Sequence, residues 1–116
     1  MILIKAIEKI ELDKYYDKVE KYDLYYALFE GKSIRGYVAG NIENQNILIT
    51  FIEYNNLSNN EIDGLVRGFI NNARNMGIKT MTIVSKYDFL IKRFEFYTND
   101  ENCVIQEFFD RGCKTN

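Results

Sequence analysis

The chain has 116 residues, 47% of them hydrophobic, with 15 basic and 17 acidic side chains for a net charge of -2. This is enough for one packed domain and too little for two, so residues 1–116 read as a single domain. The charges are scattered without a basic block that could track a phosphate backbone, and no run reaches the ~18 apolar residues of a membrane span, so neither nucleic acid nor membrane is an expected partner.

The N-terminal stretch MILIKAIEKIELDK turns charged too early for a signal peptide, which makes the cytoplasm the expected location. Cys103 and Cys113 match neither a redox pair nor a metal knuckle in spacing, and a reducing compartment leaves them as thiols. The chain contains no histidine. That removes the usual Ser-His and Cys-His nucleophile arrangements and the commonest transition-metal ligand, so no metal site is expected. Acid–base chemistry falls to Glu, Asp, Tyr, Cys, Lys or a bound water.

In chain order, ILIKAI (2–7) has the β-branched content of a strand, and IELDKYYDKVEKY (10–22) spaces Leu12, Tyr15, Tyr16, Val19 and Tyr22 as a short amphipathic helix. DLYYALFE, a bend at Gly31-Lys32, IRGYVAGN, a second polar bend in NIENQN, and ILITFIEY predict three strands of an antiparallel meander. Gly36 and Gly40 interrupt the middle strand, as a bulge or a close backbone approach requires.

The clearest element follows an asparagine-rich joint. Ile62, Leu65, Val66, Phe69, Ala73 and Met76 form one apolar stripe, Arg67, Asn71, Arg74 and Asn75 face away, and Gly77 supplies a C-terminal stop. Ser58-Asn59-Asn60-Glu61 fits the S-x-x-E capping box. IKTMTIV (78–84) then predicts a strand parallel to ILITFIEY through a right-handed crossover. A helix near YDFLIKRF, a polar loop and a last strand CVIQEFF complete the order β-α-β-β-β-α-β-α-β.

This order resembles the fold of the GNAT family of N-acetyltransferases over essentially the whole chain. ILITFIEYNN running into IDGLVRGFINNARNMGIKTMTIV is similar to the family's fourth strand, coenzyme-binding helix and fifth strand, including the A-R-x-x-G phrase at 73–77. LIKRFEFY is a weaker echo of the family's Y-E-K-x-G-F segment, with Phe96 at its Phe. The resemblance implies an α+β fold with a mixed sheet, acetyl-CoA as cosubstrate, and acetyl transfer to a primary amine on a small molecule or peptide. It also implies that backbone groups of the fourth strand and the joint, here Phe51, Ile52, Tyr54, Asn55, Asn59 and Asn60, hold the coenzyme. Glu53, near the strand end, takes the place of the base that acts through water.

The sequence departs from the family in two places. The signature Q/R-x-x-G-x-G/A falls on Leu57, Asn60 and Ile62, none of which matches, and the self-capping Ser58 and Glu61 compete with a diphosphate for the helix N-terminus. Ile91 occupies the position of the acid tyrosine if Phe96 aligns; a shifted alignment offers Tyr87 or Tyr97, with Tyr97 as the candidate acid. The alternative reading of these departures is a catalytically inactive binding or scaffolding module, homodimeric through its C-terminal strands.

Overall fold

The structure, a computed structural model, describes residues 1–87 together with the backbone of Cys103 and Val104. Strands β1 (Ile2–Ala6), β2 (Leu24–Glu30), β3 (Ser33–Glu43), β4 (Asn46–Glu53), β5 (Thr80–Ile83) and β6 (Cys103–Val104) form one sheet in sequence order. Every neighbouring pair is antiparallel except β4 and β5, which run parallel over Asn46–Ile49 and Thr80–Ile83. The expected meander and parallel crossover are therefore both present. The crossover is helix α2 (Asn59–Asn75).

Local chemistry explains the turns. Gly31, with φ of 61°, opens the β2–β3 hairpin, and Asn44 and Gln45 hold φ of 48° and 65° between β3 and β4. Two adjacent positive φ values are the mark of the tight hairpin turns that match strand twist. The side-chain oxygen of Asn46 then accepts hydrogen bonds from the hydroxyls of Thr80 at 2.9 Å and Thr82 at 3.3 Å, fixing the start of the parallel pair.

α2 covers one face of the sheet. Leu65, Val66, Phe69, Ile70 and Ala73 lose all exposure against Leu28, Val38, Ile47, Ile49 and Met81. Ile70 joins the apolar stripe, whereas Met76 stays 55% exposed because α2 ends at Asn75 and the chain turns at Gly77, whose φ is 91°. The opposite face carries a second cluster of Ile7, Leu12, Val19, Tyr25, Ala27, Tyr37 and Ala39.

Over the opposite face lies the main correction to the sequence reading. The helix expected over 10–22 shrinks to α1 (Lys9–Leu12), and an irregular path continues to β2. Long-range contacts outweigh the helical spacing there: the Tyr15 hydroxyl donates to the Lys32 carbonyl at 2.9 Å, and the Tyr16 ring packs 5.0 Å from that of Tyr37. The Tyr25 hydroxyl accepts from the Tyr22 N–H and donates to the Glu20 carbonyl, each at 2.7 Å, clamping the loop. β1 stops at Ala6 and β5 starts at Thr80, each shorter than its apolar run.

After β5 the chain makes a 3-10 turn, Ser85–Tyr87. The helix expected near YDFLIKRF, Tyr97 and the chain beyond Val104 lie outside the described residues. Among the described residues no helix is long and apolar enough to cross a membrane.

The two ends of the α2 stripe should behave differently in urea denaturation. Phe69→Ala, which empties a fully buried site, should lower stability by about 3–5 kcal/mol. Met76→Ala should change it by less than about 0.5 kcal/mol, since the side chain lies mainly in water.

Candidate active site

β4 changes character at Thr50. Ala39 of β3 faces Phe51 and Gly40 faces Ile49, so Thr50 is the extra residue of a β-bulge. Its hydroxyl donates to the Ala39 carbonyl at 3.3 Å. The bulge resets the alternation: Ile47, Ile49 and Ile52 point into the α2 core, while Phe51 packs with the opposite cluster. The tight packing beneath needs glycine, because a Cβ on Gly40 would strike the Leu48 carbonyl and one on Gly36 would lie 2.5 Å from the Glu53 carbonyl oxygen.

Pairing with β5 ends where the bulge begins. Ile49 is the last β4 residue in register with β5, and the Val84 N–H to Ile49 carbonyl bond, 3.1 Å, closes the ladder. β5 ends there, at Ile83, while β4 runs on to Glu53, beside a cleft of about 260 Å³ lined by Phe51, Ile52, Glu53, Tyr54, Asn55, Lys86 and Tyr87. A second cleft of about 220 Å³ is lined by Lys18, Glu20, Tyr22, Tyr37, Thr50, Phe51 and Lys86. Phe51 and Lys86 separate the two, the ammonium lying 5.5 Å from the Phe51 ring centroid. A larger cavity, about 430 Å³, lies elsewhere, between the start of α1 and residues 21–25.

The structure therefore brings Phe51, Ile52, Glu53, Tyr54 and Asn55 together in one cleft. Asn59 and Asn60 sit apart, exposed in the first turn of α2. Glu53 stands opposite Tyr37 across the β3–β4 ladder, and its carboxylate accepts from the Asn55 N–H at 3.4 Å.

Two tyrosines that the sequence reading gave no role feel the charge of Glu53, and one of them, Tyr37, lines the second cleft. Burial, and next the negative charge of Glu53, push the Tyr16 phenol up to about 12 and raise that of Tyr37 further still. Both stay protonated throughout the neutral range, and at that height they position a ligand by hydrogen bonding better than they deliver a proton. Their role was hidden because Tyr16 and Tyr37 meet only when the 13–23 loop folds over the sheet.

Tyr87 acts inside the cleft itself. Its hydroxyl accepts the Ile52 N–H at 2.8 Å, its ring meets Tyr54 edge-on at 6.4 Å, and it is 3% exposed. One of the β4 backbone donors expected to face a coenzyme is thus engaged by the protein's own phenol.

The joint before α2 is equally occupied. The Ser58 hydroxyl accepts from the Glu61 N–H at 3.2 Å and the Glu61 carboxylate accepts from the Ser58 N–H at 2.9 Å, the reciprocal pattern of a capping box. Arg35, the extra residue of a second bulge opposite Leu28 and Phe29, reaches Glu61 at 2.7 Å, the Asn56 carbonyl at 2.7 Å and Glu30 at 3.2 Å. The hydrogen bond from the Ser58 backbone, followed by the Arg35 charge, holds the Glu61 carboxyl below the usual carboxylate range. Among the described residues no cluster of His, Cys, Asp or Glu is arranged to hold a metal ion.

Two variants test this geometry. Because the Glu61 carboxyl is depressed in the folded state, its contribution is full above the ordinary carboxylate range and is lost as pH falls through the depressed value. Glu61→Gln should therefore be less stable than the native chain at pH 7 in thermal melts, with the gap closing toward pH 3. Tyr87→Phe should lower urea stability by about 1–3 kcal/mol, since the Ile52 N–H loses its acceptor.

No protein-family model and no curated protein matches this sequence. Among solved structures the chain is similar to the crystal structure of the ribosomal-protein-S18-alanine N-acetyltransferase from Escherichia coli, with a TM-score of 0.59 and 14% identity. The match covers 72% of this chain and 66% of that one, so the chain spans just under two thirds of the enzyme it resembles. With the meander, the bulged β4, the crossover helix α2 and the parallel β5 in place, the fold is GNAT-like, carried by a divergent sequence.

Proposed function

We propose that this protein is an N-acetyltransferase of the cytoplasm that transfers the acetyl group of acetyl-CoA to a primary amine on a small molecule or peptide. The observation that carries this reading is that β4 runs on past the end of β5 at Ile83, so that Phe51–Asn55, with Glu53 among them, line one cleft. Strand geometry of this kind serves a thioester with an extended amide-containing arm, because main-chain donors and acceptors can pair with it along its length.

In the reaction, Glu53 accepts a proton from the acceptor ammonium, directly or through a water, and the freed amine attacks the thioester carbonyl. The N–C bond forms to give a tetrahedral centre, the nitrogen releases its second proton to water, the C–S bond breaks, and the departing thiolate takes up a proton, for which Tyr97 is the proposed donor, itself reprotonated from solvent. Tyr16 and Tyr37, as neutral phenols beside Glu53, line the approach of the amine. Correct placement of the two reactants supplies most of the acceleration that such a direct attack requires. A pantetheine carbonyl would reach the Ile52 N–H only by displacing the Tyr87 hydroxyl that now accepts it.

A second reading is favoured by the closed α2 N-terminus: a binding or scaffolding module without turnover, assembled as a homodimer through its C-terminal strands. Calorimetric titration with acetyl-CoA and a thiol-release assay over a panel of amines separate the two. The acetyltransferase reading expects saturable binding, and a Glu53→Gln variant with kcat lowered about 100-fold or more but an unchanged coenzyme Kd. Failure to bind any acyl thioester at millimolar concentration overturns it.

A further inference from the structure

Resting on the acetyl-transfer reading, we infer that this chain recognises its donor through the acyl-pantetheine arm alone, the nucleotide diphosphate adding no affinity. A diphosphate docks at a helix N-terminus when the first turn offers backbone donors and the positive end of the dipole, with small residues letting the ligand approach. Each of those conditions is altered here by a side chain of the protein.

The anion at the N-terminus of α2 is already present. The Glu61 carboxylate pairs with the Ser58 N–H and with Arg35, and its side chain is only 16% exposed. Arg35 is shared among Glu61, Glu30 and the Asn56 carbonyl, so its charge is offset by two carboxylates and its guanidinium is fixed on the β4–α2 connection. Two further anionic oxygens brought to this joint would meet like charge at short range.

Bulk closes the same place. Leu57 lies against Gly36 so closely that a Cβ there would fall 2.6 Å from its Cδ1, and Ile62 is buried in the α2 core at 4% exposure. The two signature positions that take a small residue hold Asn60 and Ile62 here. The cleft at Phe51–Asn55, by contrast, precedes the Tyr54–Leu57 turn; beside Glu53 and Lys86 it offers the main chain of β4 and the rings of Phe51, Tyr54 and Tyr87 to an uncharged arm.

The test is a titration series on the full chain with S-acetylpantetheine, S-acetyl-4′-phosphopantetheine and acetyl-CoA, each at 50 and 300 mM salt. The expected result is three dissociation constants within about threefold of one another and almost independent of salt, because the cation at the α2 N-terminus, Arg35, is already held by Glu61 and Glu30. Acetyl-CoA binding tenfold or more tighter than S-acetylpantetheine overturns the inference while leaving the acetyltransferase reading intact. A tenfold preference for the phosphorylated arm over S-acetylpantetheine overturns it too, by revealing a monophosphate site. Binding of none of the three overturns both. In a Glu61→Gln variant, which removes the resident anion and keeps Arg35, acetyl-CoA should gain about fivefold or more while S-acetylpantetheine is unchanged; equal behaviour of variant and native chain toward acetyl-CoA overturns the electrostatic account.

Discussion

Every buried N–H of β4 must find an acceptor, and this obligation governs the site once β5 departs after Ile49. On the β3 side the ladder continues to Glu53, but only by inserting Thr50 as a bulge. Toward β5 the Ile52 N–H turns to the Tyr87 hydroxyl, delivered by the 3-10 turn that follows Val84. The cleft exists because β4 runs past the end of β5, and the Tyr87 hydroxyl that lines it takes a hydrogen bond β5 no longer supplies. Phe51 and Glu53 follow from the same bulge, which turns them toward Tyr16 and Tyr37 and away from the α2 core.

A second bulge, at Arg35, does for the α2 joint what the first does for the cleft. An extra residue in β3 projects a guanidinium that ties β2, the β4–α2 turn and the first turn of α2 together. Exposed ion pairs contribute little, yet this arginine is 31% exposed, holds a partly buried carboxylate and bonds a backbone carbonyl, so it acts as a geometric clamp more than as a surface charge pair. Both bulges flank Gly36 and Gly40, where the backbones come close enough to exclude a Cβ. The fold thus keeps an open strand edge and a closed helix end within a few residues of each other.

Much of this was legible from the residues. The α2 stripe, its Ser58–Glu61 box and the meander turns are local features, set by spacing and by the few residues that suit each turn. Glu53 and its neighbours were legible as the end of a strand. The 10–22 segment was misjudged because its helical spacing of Leu12, Tyr15, Tyr16, Val19 and Tyr22 reflects separate anchors on the sheet and not one helix face. Tyr16 and Tyr37, 21 residues apart in sequence, gave no joint signal, and neither did Arg35 with Glu61, the 26-residue separation of which no periodicity encodes.

The sequence by itself determined the order of elements from β1 to β5, the crossover helix, its self-capped start and the strand that carries Glu53, because hydrophobic period, capping chemistry and turn residues act within a few positions of the chain. Only the tertiary structure decided that Tyr87 would take the Ile52 N–H, that Arg35 would clamp Glu61, and that two tyrosines would gather around Glu53. Those pairings depend on register and on the two bulges, and one inserted residue in a strand redirects every side chain that follows it.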